Sequence, residues 1–121
     1  MLHAKKARKL GRTKQVRSAL MRGLVVSLVK HGKIQTTEAK AKELRKFIEP
    51  LVTLAKKAEG DKLVSAKRLL ASRLNNNESM VKKLVSEIAP KYKNVAGGYT
   101  RIIKTTTRVK DSAKMAVIEF V

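Results

Sequence analysis

"GGYTRIIKTTTRVKDSAKMAVIEFV", residues 97–121, decides the fold class. Residues 97–109 and 115–121 are rich in β-branched and aromatic side chains, and "KDSAK" at 110–114 between them has turn chemistry. The pattern predicts an antiparallel hairpin. Two strands alone are marginal in water, so the hairpin needs another strand and a covering layer. "KIQT" at 33–36 is too short for a helix and β-compatible, and it supplies the third strand.

The intervening chain reads as helices. Thr13 can cap a first helix at 14–31 through its hydroxyl, with Val16, Leu20, Leu24 and Leu28 on the apolar stripe, Ala19 and Val25 beside them, and Gly32 closing it. Thr37 and Glu38 open a second helix, whose stripe is Ala41, Leu44, Ile48, Leu51, Ala55 and Ala58; Pro50 predicts a kink rather than a break. Gly60 ends it, and Asp61 can cap a third helix with Leu63, Ala66, Leu70 and Leu74 inward. After the turn-forming "NNN" at 75–77, a fourth helix carries Val81, Leu84, Val85 and Ile88 and stops at Pro90. Phe47 and Phe120 are expected in the core. The fold class is therefore α+β in two layers, about four helices on a small three-stranded sheet. Residues 14–121 form one domain behind a basic N-terminal arm at 1–13, with no internal repeat and no linker.

The charge is large and uneven. The 121 residues carry a net +20, and residues 1–37 hold ten Lys or Arg and no acid, against nineteen and nine in 38–121. In "HAKKARKLGRTKQVR", residues 3–17, only Leu10 and Val16 are large apolar groups, too few to offset the entropy of ordering the segment. A partner outside the chain must order it. A polyanion would also relieve the self-repulsion of so basic a chain, and nucleic acid is the obvious one. Without Cys there is no disulfide framework, thiolate zinc site or Cys nucleophile, which suits a reducing, cytoplasmic setting. Apolar runs such as "GLVV" and "MAVI" fall far short of a membrane span, and no signal-type segment follows the basic start.

Catalysis finds little support. His3 and His31 have no second ligand at metal spacing, and Glu43 and Glu49 are expected to pair with lysines on solvated helix faces. "GG" at 97–98 lacks the rest of a phosphate loop. No enzyme, cofactor, metal or small-molecule substrate is expected. Polyanion binding is better supplied: Arg8, Arg12 and Arg17 offer planar forks for phosphates, and Ala4, Ala7 and Gly11 permit close backbone approach. Phe47, Tyr92, Tyr99 and Phe120 are too scattered for a base-stacking platform. Tyr99, beside Arg101, either faces RNA or packs beneath the helices. No zinc finger, basic zipper or helix-turn-helix is recognisable. The residues describe a backbone and shape binder of structured nucleic acid. The alternative is an architectural DNA-binding protein, which would need apolar wedges that the arm hardly offers.

Longer motifs carry a resemblance. Residues 3–56 as a whole, "KLGR" at 9–12, "IQTTEAKAKELR" at 34–45, "EIAPKYK" at 87–93, "GGYTRIIK" at 97–104 and the ending "MAVIEFV" resemble the family of the seventeenth protein of the bacterial large ribosomal subunit, over essentially the whole chain. The resemblance implies helices over a small mixed sheet, and a structural protein bound to large-subunit ribosomal RNA near the rim of the peptide exit tunnel, beside other ribosomal proteins. It places His3, Lys5, Lys6, Arg8, Lys9, Arg12, Lys14 and Arg17 in an RNA-contacting arm and first helix, with Arg22 continuing that face. Tyr99, Arg101 and Lys104 are further RNA-facing candidates. Leu2 and Val16 depart from the family pattern, which usually has a basic residue and a His there.

Overall fold

The computed structural model describes residues 10, 11 and 13–121. Helix α1 spans Lys14–His31 and ends on Gly32, whose φ of 82° lets its N–H donate to the Leu28 carbonyl at 2.8 Å. Lys30 in the last turn complements the helix dipole. Thr13 occupies the N-cap, but its hydroxyl makes no capping bond; the helix starts on its carbonyl, which accepts from Arg17 N at 2.8 Å. The buried face also differs from the expected stripe. Met21, Val25, Leu28 and Val29 point inward while Val16 is 54% exposed. Residues 24–29 are apolar at every position but Ser27, so periodicity alone leaves the face of this helix undetermined.

Strand β1, Lys33–Thr37, runs directly into α2, Glu38–Lys56. Thr37 ends the strand and caps the helix, its hydroxyl accepting from Lys40 N at 3.4 Å. The helix continues through Pro50, and Ala41, Leu44, Ile48, Leu51 and Ala55 are buried along the expected stripe, joined by Val52. Phe47 is 42% exposed, a correction to its expected core position: it lies one place before Ile48, at the margin of the stripe. Phe120 is partly buried at the core's edge.

A 3-10 turn at Gly60–Lys62 leads into α3, Leu63–Arg73, so Asp61 lies inside that turn rather than capping the helix. Asn75 and Asn76 both adopt positive φ, and Asn77 caps α4, Glu78–Lys83, accepting from Met80 N at 3.4 Å. The α4 turn then widens into a π segment, Leu84–Ile88, and tightens into a 3-10 turn, Ala89–Tyr92. Pro90, with no N–H and a ring that crowds the preceding turn, sits where the regular helix has given way.

Strands β2, Thr100–Lys104, and β3, Met115–Phe120, close the hairpin, and the sheet order is β1-β3-β2. Both pairings are antiparallel, so the sheet is not mixed: the C-terminal strand inserts between the other two. Ile34, Ile118 and Ile102 align across the three strands, and Ile118 and Ala116 are fully buried in the cluster that α2 shares with α1, α3 and α4. One core joins both layers.

Candidate nucleic-acid interface

His3, Lys5, Lys6, Arg8, Lys9 and Arg12 lie outside the described residues. Lys14 and Arg17 stand in the first turn of α1, which contains no acid, so two cations add to the positive end of the helix dipole. Further along, Arg22 is exposed and its Nη1 donates to Asn75 Oδ1 at 3.1 Å. Arg22 thus bridges α1 to the α3–α4 turn.

That bridge borders a cleft of about 320 Å³ between α1, α2 and α3. Arg22, Lys46 and Arg73 contribute cations from three different helices, while Phe47, Pro50 and Leu51 supply apolar surface. None of its lining residues is acidic; Glu43, which pairs with Lys46 at 3.4 Å, is not among them. Sequence reading singles out neither Lys46 nor Arg73, and it assigns Phe47 to the core. An aromatic at the margin of a helical stripe, directly after a cation, is the one local signal of the cleft.

The C-terminal candidates are compensated by acids. Arg101 Nε donates to Glu119 Oε1 at 2.6 Å, its partner in register on β3. Lys104 lies 3.6 Å from Glu38, which Lys42 also approaches at 2.9 Å. The Lys42 hydrogen bond, more than the field of Lys104, holds the Glu38 carboxyl below its ordinary range. At the hairpin tip Arg108 grips Asp111 with two bonds of 2.9 and 2.8 Å, lowering its pKa from 3.8 to about 2. Val109 beside it is fully exposed.

Of the two readings of Tyr99, the structure takes the packed one. Its side chain is 1% exposed, its ring lies 5.3 Å from that of Tyr92, and its hydroxyl accepts from Lys56 Nζ at 2.9 Å. Of the expected lysine pairs of Glu43 and Glu49 on solvated faces, the Glu43 pair forms but not on a solvated face, and the Glu49 pair is corrected. Glu43 is 2% exposed although it does meet Lys46, and Glu49 accepts from Tyr99 N, Thr100 N and Thr100 Oγ1. Both sit on α2 where it packs over the sheet and its neighbours; Glu43 is buried there and Glu49 half-buried against β2.

Among the described residues no group of three His, Cys, Asp or Glu is placed to hold a metal, and no helix is long and apolar enough to cross a membrane. What the described surface offers is cations on α1 and around the cleft, suited to phosphate oxygens. A family model described as Ribosomal protein L17 matches residues 20–121, from the middle of α1 to the end of the chain. The chain belongs to the ribosomal protein L17 family. Within the L17 family it is similar to proteins named large ribosomal subunit protein bL17. That of Persephonella marina is 51% identical over 122 residues, covering 100% of this chain and 95% of the relative. That of Sulfurimonas denitrificans is 50% identical over 121 residues, with both chains covered in full. That of Nautilia profundicola is 47% identical over 124 residues, covering 100% of this chain and 98% of the relative.

Proposed function

We propose that this chain is a structural, non-catalytic constituent of the large ribosomal subunit in the bacterial cytoplasm. It binds large-subunit ribosomal RNA near the rim of the peptide exit tunnel, with other large-subunit proteins as neighbours. The carrying observation is the segregation of charge: ten Lys or Arg and no acid in residues 1–37, leading into a helix whose first turn is also without acid. Membership of the L17 family and the motif resemblance support the ribosomal setting.

The division of labour is between the arm, 1–13, and the body, 14–121. Each arm or α1 cation that meets a phosphate releases condensed counterions, and cations that bridge two RNA segments lower the repulsion between them. The body, held by one core, fixes where the arm begins. His3, Lys5, Lys6, Arg8, Lys9, Arg12, Lys14, Arg17 and Arg22 form the primary contact set. Arg101 and Lys104, each already beside an acid, are secondary.

The test is binding of the full chain and of a chain lacking residues 1–12 to folded large-subunit ribosomal RNA and to duplex DNA across a salt series. The truncation removes five Lys or Arg, and the salt slope is expected to fall by up to about four, at roughly 0.7–0.9 for each phosphate that is no longer neutralised. Equal affinity for the RNA and for duplex DNA at matched salt would overturn the reading in favour of an architectural DNA-binding protein. Footprinting of the RNA in intact particles tests the position at the tunnel rim.

A further inference from the structure

We infer that the cleft between α1, α2 and α3 is a seat for one unstacked nucleotide of a folded RNA, with Phe47 as the stacking surface and Arg22, Lys46 and Arg73 on the phosphates that flank it. The inference rests on the RNA-binding reading above and adds a contact of a different kind, to a base rather than to the backbone alone.

The aromatic residues make the first part of the case. The chain has only four, and Tyr92 and Tyr99 are buried while Phe120 is partly buried against the core. Phe47 alone is 42% exposed, and it borders a concavity rather than a flat helix face. Pro50, one turn further along α2, and Leu51 continue its apolar wall. Phe47 at this wall offers a base a stacking face, and such stacking depends on the π-face and not on base identity.

Charge decides what that flat group is attached to. Three cations from three helices surround the apolar wall, of which Lys46 is already paired with Glu43 at 3.4 Å, and no lining residue is acidic. A protein segment brings anions only where its sequence places acids, whereas every nucleotide within RNA brings a phosphate on either side of its base. The cleft, at about 320 Å³, is at the small end of ligand pockets and suits a single extruded base rather than paired ones. Arg22 is also partly preorganised: one N–H of its fork is held by Asn75, whose positive φ fixes the turn that presents the amide. Its remaining donors serve phosphate recognition.

Because the chain contains no Trp, F47W places a single indole in the cleft as a reporter. With the full chain and folded large-subunit ribosomal RNA as probe, F47W is expected to bind like the native protein and to lose emission on saturation. F47L, with native circular dichroism and thermal unfolding, is expected to bind about five- to a hundredfold more weakly. R73Q is expected to lower the salt slope by about one. A free nucleoside monophosphate is expected to quench F47W far less than the RNA at equal nucleotide concentration. Tight RNA binding by F47W with unchanged emission, or native affinity in F47L, would overturn the cleft assignment while leaving the RNA-binding reading intact. Quenching by the mononucleotide equal to that by RNA would overturn the assignment to RNA. Failure of the native chain to bind the RNA at all would overturn both readings.

Discussion

Glu49 and Thr100, on α2 and on the edge strand β2, are joined through one carboxylate oxygen that accepts from Thr100 Oγ1 at 2.9 Å and from Thr100 N at 3.3 Å. The other oxygen accepts from Tyr99 N at 3.2 Å, so one side chain satisfies two backbone N–H groups at the start of the strand. Among the described residues those donors have no ladder partner on that side, since β2 pairs there with β3 alone. The helical layer is thus fastened to the sheet by a carboxylate as well as by apolar packing.

Removing that carboxylate strands three donors in a partly buried place. E49A is expected to cost about 1.5–3 kcal/mol, the range for hydrogen bonds to a charged group. E49Q is expected to cost less but not nothing, because its amide NH₂ meets the backbone N–H of Tyr99 donor to donor. Urea unfolding with an unchanged slope checks both. A loss below about 0.5 kcal/mol in E49A would show that water replaces the carboxylate there without penalty.

Glu49 also shows where sequence reading stops. The acid is visible in the sequence, but its partners are fifty residues away on the other layer, and no local offset announces them. What was legible was local: the Thr37 cap, the left-handed Gly32, the Asn-rich turn and the α2 stripe all follow from short-range chemistry and all appear as read. The face of α1 was not, because a helix with apolar residues nearly all round is oriented by its neighbours rather than by its own period. The cleft around Phe47 was illegible for a related reason. Its three cations come from three helices, and only the packing of α1 and α3 against α2 brings them together.

The two tyrosines are expected to titrate apart. Lys56, by its hydrogen bond, and Thr53 after it, hold the Tyr99 hydroxyl below the ordinary 10.0, whereas burial first, and Glu49 second, push Tyr92 above it. Tyr99 is depressed in the folded state, so its contribution to stability is complete above the unfolded pKa and is lost as pH falls through the folded one. Tyr92 is raised, so its contribution is complete below the unfolded pKa and is lost as pH rises through the folded one. Because the chain has only these two tyrosines, ultraviolet titration of phenolate absorbance should resolve two steps, with K56M moving the earlier one upward. A single step near the ordinary value, unchanged in K56M, would contradict the Lys56–Tyr99 contact.

Two glycines of α1 and its cap offer opposite outcomes from one substitution. A methyl group added at Gly23 or at Gly32 meets nothing within 4 Å, so space does not separate them. Backbone conformation does. Gly23 is inside the helix, where alanine loses less conformational entropy on folding, and G23A is expected to stabilise by about 0.5–1 kcal/mol. Gly32 has a φ of 82°, where a Cβ crowds its own backbone, and G32A is expected to destabilise by about 1–2 kcal/mol. Gly32 also accepts from Phe120 N at 3.2 Å through its carbonyl, so strain there reaches the junction between α1 and β3. Thermal unfolding of the two variants side by side checks the pair. Equal effects of the same sign would mean that α1 does not end in the left-handed turn that aims the chain from α1 into the sheet.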